Sequence, residues 1–157
     1  MNRTEQHIQE LLSSIPIKTP DDLNIDTIAN TFNIDVRYWG FSSELVSYKK
    51  RTKIFINRDQ SPQAQWQDFC HEFTHYSWHV GDQRNLPFSF YQLQENQANY
   101  ATYHLAVPTF MLERARLPPS YFDAIRMVCN TFNVEPKFAF KRLEMYRNKQ
   151  LSTIMNY

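Results

Sequence analysis

The chain has 157 residues, enough for one domain with one hydrophobic core, and its formal net charge is only +1. This balance does not indicate a nucleic-acid or membrane partner bound through overall charge, and two cysteines are too few for a disulfide framework. Hydrophobic residues make up 42% and aromatic residues 15%, yet only two residues are glycine, which favours a mainly helical protein with little β structure.

The start of the chain does not predict a targeting segment. Residues 1–10 are polar and no apolar core follows them, so a signal peptide is not expected. No run of about 18 apolar residues is present, so we expect neither a membrane span nor a membrane partner. We therefore expect a cytoplasmic protein whose thiols are reduced.

The first third of the chain predicts two helices, a strand and a hairpin. Residues 4–14 have the spacing of an amphipathic helix, and a second helix is predicted to begin at Pro20, where proline and two acids suit a first helical turn. Asn33 is placed to end that helix in a left-handed conformation. Residues 34–39 alternate as a strand does, and residues 44–57 predict a β-hairpin across a basic turn.

This basic turn concentrates positive charge in Lys49, Lys50, Arg51 and Lys53. A solvated surface is the usual meaning of such a cluster. The more specific alternative is a binding surface for an acidic segment of a partner, and the sequence leaves both interpretations open.

The most informative segment, His-Glu-Phe-Thr-His, lies at residues 71–75 inside the next predicted helix. Ser61 and Pro62 suit the start of that helix, and Gly81 suits its end. Residues four apart share a helix face with Cβ atoms about 5–6 Å apart, so both histidine rings can reach a single ion. Glu72 then flanks that ion and can accept a proton from an attacking water.

An exposed helix that happens to carry these residues is the alternative interpretation. Aromatic residues surround the motif, however, so much of the helix should be buried, where histidine and glutamate side chains need partners. His79 lies eight residues past His71, or about 12 Å along a helix axis, which is too far for the same ion. A solvated or capping role suits His79 better, and Cys70 points away from the histidines and suits the core.

A catalytic zinc takes three protein ligands and keeps one position for water, so the motif needs a third partner. Residues 91–106 predict another helix, ended by Val107–Pro108, on which Glu95 lies close to two small alanines. A neighbouring helix could approach closely there. An ordinary exposed carboxylate is the alternative for Glu95, whereas His104 faces the opposite side of the helix and is expected to be structural.

The last third predicts two helices, one over residues 120–132 and one from Glu135-Pro136 onward. They could form a DNA-binding helix-turn-helix, although two helices that pack to complete the core are the commoner case. The side chains of the second helix that we expect to be buried are Phe138, Phe140, Leu143 and Tyr146.

Three motifs in this order resemble a known family. They are His-Glu-Phe-Thr-His at residues 71–75, Glu-Asn-Gln-Ala-Asn-Tyr-Ala at 95–101 and Leu-Ala-Val-Pro at 105–108. The combination is similar to the ImmA/IrrE-type metallopeptidases, a gluzincin-like family often encoded by phages and integrative elements. The resemblance covers about residues 25–112 and, more weakly, the C-terminal third.

This resemblance implies Zn²⁺ as the cofactor, with His71, His75 and Glu95 as metal ligands and Glu72 as the catalytic residue. It further implies a zinc endopeptidase that cleaves a helix-turn-helix repressor of a phage or mobile element, and so acts as an anti-repressor. The strand at residues 54–57 is expected to be the sheet edge that pairs with this protein substrate. A non-enzymatic regulator, with a structural metal site and a repressor or DNA as its partner, is the alternative.

The expected fold is α+β, a mainly helical single domain over residues 1–157 with a small antiparallel sheet packed on the zinc-binding helix pair. Within it, about residues 1–115 would form the catalytic core and about residues 118–148 a C-terminal helical pair. No nucleic-acid partner is expected, because the net charge is close to zero.

Overall fold

The computed structural model describes residues 3–78 and 86–155 and consists of helices around one small sheet, which confirms the predicted α+β class. In these two ranges, no helix has both the length and the apolar character that a bilayer crossing requires. The strands are β1 (Asp35–Trp39), β2 (Glu44–Tyr48) and β3 (Arg51–Asn57). The α-helices are α1 (Arg3–Ser13), α2 (Ile25–Thr31), α3 (Pro62–Trp78), α4 (Phe88–Ala106), α5 (Thr109–Arg114), α6 (Tyr121–Phe132) and α7 (Pro136–Met155).

The sheet has the strand order β1–β3–β2 and is mixed, whereas the sequence analysis predicted an antiparallel sheet. β2 and β3 form the predicted antiparallel hairpin, but β1 pairs with β3 in parallel. Ile54 of β3 therefore has Val36 of β1 on one side and Leu45 of β2 on the other. The link over residues 40–43 carries the chain past the end of β3, so a strand that precedes the hairpin joins its far side.

The prediction that residues 54–57 form a sheet edge is wrong, because β3 is the central strand. Ile54 and Ile56 of this strand are fully buried, and β3 packs on α3. Apolar side chains are best excluded from water on a strand that has neighbours on both sides. The strand that packs on α3 and also has a free edge is β2.

The hairpin turn has an unusual backbone for its sequence. Lys49 and Lys50 both have positive φ, at 45° and 64°. Positive φ at both central residues is the conformation of a type I′ hairpin turn, and Asn-Gly is the pair that adopts it most easily. Lysine carries a Cβ atom that is crowded in the left-handed region, so the turn is strained.

Replacing Lys49 by asparagine and Lys50 by glycine is expected to stabilise the protein by about 1–2 kcal/mol, because both new residues tolerate positive φ. The melting temperature should rise by roughly 2–6 °C. Thermal unfolding followed by circular dichroism measures this shift. Lys53→Asn on the neighbouring strand removes a lysine without changing the turn, and an equal rise in that variant would contradict the explanation.

Asparagine residues set the bounds of two helices. The predicted helix start at Pro20 is only a 3-10 helix (Pro20–Asp22), and α2 begins later, where Asn24 accepts a hydrogen bond from the Thr27 N–H at 2.9 Å. Asn33 adopts a left-handed conformation with φ 54° after α2, as predicted, and Asn133 does so with φ 52° after α6. Asparagine tolerates this conformation better than most residues.

The core is built in layers around α3. β2 and β3 pack on α3, and so does α4, so the sheet lies on one member of the predicted helix pair. Ala98 and Ala101 of α4 are fully buried, and such small side chains allow two helices to approach closely. α4 also contacts α1 and α7, and one cluster of buried residues runs from Ile8 to Tyr146. The predicted end of α3, at His79 and Gly81, lies outside the described residues.

The C-terminal helices pack on each other and complete this core. The buried face of α7 carries Ala139, Arg142, Leu143 and Tyr146, at the spacing of one helix face. Phe140 lies beside that face and is 43% exposed, so the prediction that it is buried is wrong.

A buried polar cluster, here called the Glu5–Arg142 network, joins α1, α5 and α7. Arg142 is 1% exposed and donates to the Val107 carbonyl at 2.9 Å and to the Thr109 hydroxyl at 2.8 Å. That hydroxyl donates to the carboxylate of Glu5 at 3.0 Å, and Lys149 pairs with the same carboxylate at 2.8 Å. Burial lowers the pKa of Arg142 to about 10, so the guanidinium stays charged at neutral pH.

Candidate metal centre

Two histidines on α3 form the first part of the site. One helical turn separates His71 from His75, and their Nε2 atoms lie 3.0 Å apart. His75 is buried, and the His71 side chain is 22% exposed, so the pair sits at the boundary between core and solvent. Ser61 fixes the start of this helix, because its hydroxyl accepts a hydrogen bond from the Ala64 N–H at 3.2 Å.

The third side chain comes from α4. One carboxylate oxygen of Glu95 lies 3.1 Å from Nε2 of His75, and the other lies 3.4 Å from Nε2 of His71. The ligand atoms of these residues all lie within 4.8 Å of one another, and within residues 3–78 and 86–155 no other group of three histidine, cysteine or acidic side chains is this close. We call this set the metal triad: His71, His75 and Glu95.

The metal triad fits a zinc ion in spacing and in donor type. Tetrahedral ligands at about 2.0–2.1 Å from an ion lie about 3.3–3.4 Å from each other. The observed separations of 3.0, 3.1 and 3.4 Å are close to that value. Two imidazole nitrogens and one carboxylate oxygen are also the donors that zinc accepts, and three protein ligands leave the fourth position for a reactant.

Glu72 follows His71 on α3 beside the metal triad, and the backbone N–H of Leu45 on β2 lies close enough to its carboxylate to lower the pKa of Glu72. The pKa of Glu72 is raised to about 8, mainly by burial; the negative charges of Glu95, Asp68 and Glu44 add to this rise, and hydrogen bonding from the Leu45 backbone opposes it. A carboxylate with a raised pKa holds and releases protons near neutral pH, as a general base requires.

A second contact holds β2 against α3. The Ser43 hydroxyl, which precedes β2, donates to the carboxylate of Asp68 on α3 and accepts a hydrogen bond from the Asn57 N–H at 3.0 Å. Asp68 lies one turn before Glu72, so Ser43 ties the strand to the helix close to the Leu45 contact. The sequence does not predict this role of Leu45, because a backbone donor has no side-chain pattern.

Other candidates from the sequence lie apart from the metal triad. His104 is buried on α4 with its Nδ1 3.7 Å from Glu5, and burial together with the charge of Arg142 lowers its pKa well below the ordinary value. Cys70 is buried in the core, and burial raises the pKa of its thiol. His79 is outside the described residues.

The chain is similar in sequence to known proteins of one peptidase family. Residues 29–144 match peptidase family M78, described as the IrrE N-terminal-like domain. The phage-like element PBSX protein XkdA of Bacillus subtilis (strain 168) is 33% identical over 150 residues, which cover 96% of this chain and 76% of that protein. The uncharacterized protein YqaB of the same strain is 34% identical over 145 residues, which cover 92% of this chain and 84% of YqaB.

Proposed function

The chain belongs to peptidase family M78, a family of metallopeptidases, and from this membership we propose that it is a zinc-dependent endopeptidase. The observation that carries the proposal is the metal triad, whose two imidazoles and one carboxylate lie 3.0–3.4 Å apart. Glu72 lies beside the triad without being part of it, which suits a catalytic rather than a purely structural metal site.

We assign the metal to His71, His75 and Glu95 and proton transfer to Glu72. A zinc ion held there would supply Lewis-acid chemistry, lowering the pKa of water and polarising a peptide carbonyl. Glu72 accepts the proton of the attacking water on its carboxylate and then donates it to the leaving amine. The N–H of Leu45, close to this carboxylate, would help to orient it.

The free edge of β2 is the proposed place for the substrate backbone. An extended peptide can add to a free strand edge through main-chain hydrogen bonds, and β2 passes Glu72 at Leu45. Phe88 and Tyr91 lie about two turns and one turn before Glu95 on the same face of α4, and they are 78% and 39% exposed. They would contact apolar side chains of the bound peptide.

The proposed substrate is a helix-turn-helix repressor encoded by the same phage or mobile element, whose cleavage in the cytoplasm would release the element's genes. The similarity to a protein named for a phage-like element supports this setting. All four functional side chains lie on α3 and α4, so we propose residues 1–115 as the catalytic core of one domain, with the C-terminal helices as its support.

The decisive experiment incubates the zinc-loaded protein with the repressor encoded beside its gene. The repressor should be cut at one bond, a chelator should stop the reaction, and added zinc should restore it. Mass spectrometry of the fragments locates the bond. Bound zinc without any cleavage would overturn the proposal and favour the non-enzymatic regulator.

Replacing Glu95 by glutamine is expected to weaken zinc binding by about 100-fold or more, because the charged oxygen donor is lost from the metal triad. Metal content after dialysis and competition with a zinc-binding dye measure the affinity. Glu113→Gln, which changes an exposed carboxylate on α5, is the matched control and should bind one zinc as the wild type does. Unchanged affinity in Glu95→Gln would remove Glu95 from the ligand set.

A further inference from the structure

The tip of the β-hairpin presents exposed positive charge; among the described residues its contact with an aromatic ring, Lys49 over Tyr48 at 5.2 Å, supplies no counter-charge. We call Lys49, Lys50 and Arg51 the basic tip; all three are exposed. Lys53 and Arg37 on the neighbouring strands share the carboxylate of Asp35, at 3.8 and 3.0 Å. The part of the chain that the structure describes offers no carboxylate within 4.0 Å of the basic tip.

This charge is local to the sheet. Residues 35–59 contain six lysines and arginines and three acidic residues, a balance of +3 in a chain whose total is +1. The remainder of the chain is therefore slightly negative, and the sheet end of the molecule is the part that attracts acidic groups. A nearby carboxylate would gain more from the basic tip than from the other basic side chains of the sheet, which already have partners.

The basic tip lies on the strand that passes the metal triad. β2 packs on α3, with Leu45 near Glu72 at one end of the strand, and leads into Lys49 at the other end. Four residues of strand separate these points, which corresponds to about 13 Å. A peptide that pairs along the free edge of β2 therefore runs from the reacting bond toward the basic tip.

We propose that the basic tip recognises acidic side chains of the substrate, about four to six residues from the scissile bond. This inference rests on the proposed function, because it uses β2 as the substrate-binding edge. An acidic protein segment is the favoured occupant, since a free strand edge pairs with a peptide backbone and a nucleic acid has none to offer. The enzyme would then prefer substrates in which apolar residues at the scissile bond are followed or preceded by a short acidic segment.

A non-cleaving form of the full chain tests this recognition directly. The zinc-loaded Glu72→Gln protein is titrated with two labelled peptides of about 14 residues that share an apolar centre, one carrying three Asp or Glu residues near one end and the other Asn or Gln there. The acidic peptide should bind about fivefold to tenfold more tightly, and the difference should vanish at about 0.5 M salt.

Two double variants identify the side chains responsible. Lys49→Asn with Lys50→Gly removes two charges and gives the turn its preferred residues, so the fold is retained, and the ratio of the two affinities should fall toward one. Arg116→Gln with Lys137→Gln removes two exposed charges from the C-terminal region and should keep the ratio.

Equal affinity for the two peptides, or failure of either to bind, would overturn the proposal. So would an unchanged ratio in the hairpin variant, or tip-dependent binding of a single-stranded oligonucleotide without any preference for the acidic peptide. Failure of the peptidase proposal has a different signature, because it appears as an uncut repressor with wild-type protein and zinc. The ratio of the two peptide affinities is measured without cleavage, so it does not depend on whether the repressor is cut.

Discussion

Replacement of Glu72 by glutamine is expected to leave zinc binding intact and to slow peptide cleavage by a factor of about 10³ or more. Glutamine keeps the size of the side chain and can still accept the hydrogen bond from the Leu45 N–H. It cannot take a proton from water, so the attacking group is no longer activated. Initial rates of repressor cleavage, with the metal content measured on the same samples, give the result.

The same variant should also change the protons released when zinc binds. In the metal-free protein burial raises the pKa of Glu72 to about 8, so this side chain is mostly protonated at neutral pH. A divalent cation in the metal triad favours the carboxylate form and lowers that pKa, so zinc uptake expels the proton. Calorimetry in buffers of different ionisation enthalpy should show about one proton fewer in Glu72→Gln.

Glu113→Gln serves as the control for both measurements and should match the wild type. Cleavage by Glu72→Gln at the wild-type rate would exclude Glu72 as the general base. If the rate falls while proton release is unchanged, Glu72 acts in catalysis but is already ionised before the metal arrives.

Replacement of Arg142 by methionine is expected to destabilise the fold by about 3–5 kcal/mol. Methionine fills much of the space but removes the buried positive charge near the Glu5 carboxylate, which keeps only Lys149, and leaves the Val107 carbonyl without a donor. Urea unfolding followed by fluorescence of the tryptophans gives the free energy of unfolding. The expected loss is a large share of the stability of a domain of this size.

Two further variants show whether the buried charge is the cause. Arg126→Met removes an exposed guanidinium that pairs with Asp123 at 3.0 Å, and it should cost less than about 1 kcal/mol. Adding Glu5→Gln to Arg142→Met should recover part of the loss, because the remaining group is neutral. A double variant no more stable than Arg142→Met would show that lost packing, rather than unpaired charge, explains the effect.

Features that depend on neighbours in sequence could be predicted. The spacing of His71 and His75 defines a helix face, and the Asn33 and Asn133 helix ends follow from one residue's tolerance of the left-handed conformation. The hairpin is equally local, because two alternating segments flank a short turn. The spacing of Glu95 alone did not distinguish a metal ligand from an ordinary exposed carboxylate. The resemblance to a family of metallopeptidases implied that Glu95 is the third metal ligand.

Features that depend on distant parts of the chain could not be predicted. The sequence of residues 34–39 indicates a strand but does not state which side of the hairpin it joins, so the parallel pairing with β3 was missed. The contact of Glu72 with Leu45 involves a backbone donor, which has no side-chain signature. Glu5 did carry a signal that was overlooked, because it shares the buried face of α1 with Ile8 and Leu12.

The pairing of Glu5 with Lys149 brings the first and the last helices of the fold into direct contact at 2.8 Å. If either helix detached, a carboxylate would lose its counter-charges, so partial opening at one end exposes the other as well. The amide protons of α1 and α7 should therefore exchange with deuterium as one cooperative unit rather than fray separately. The helices α1 and α7, although far apart in sequence, thus unfold locally with one common free energy.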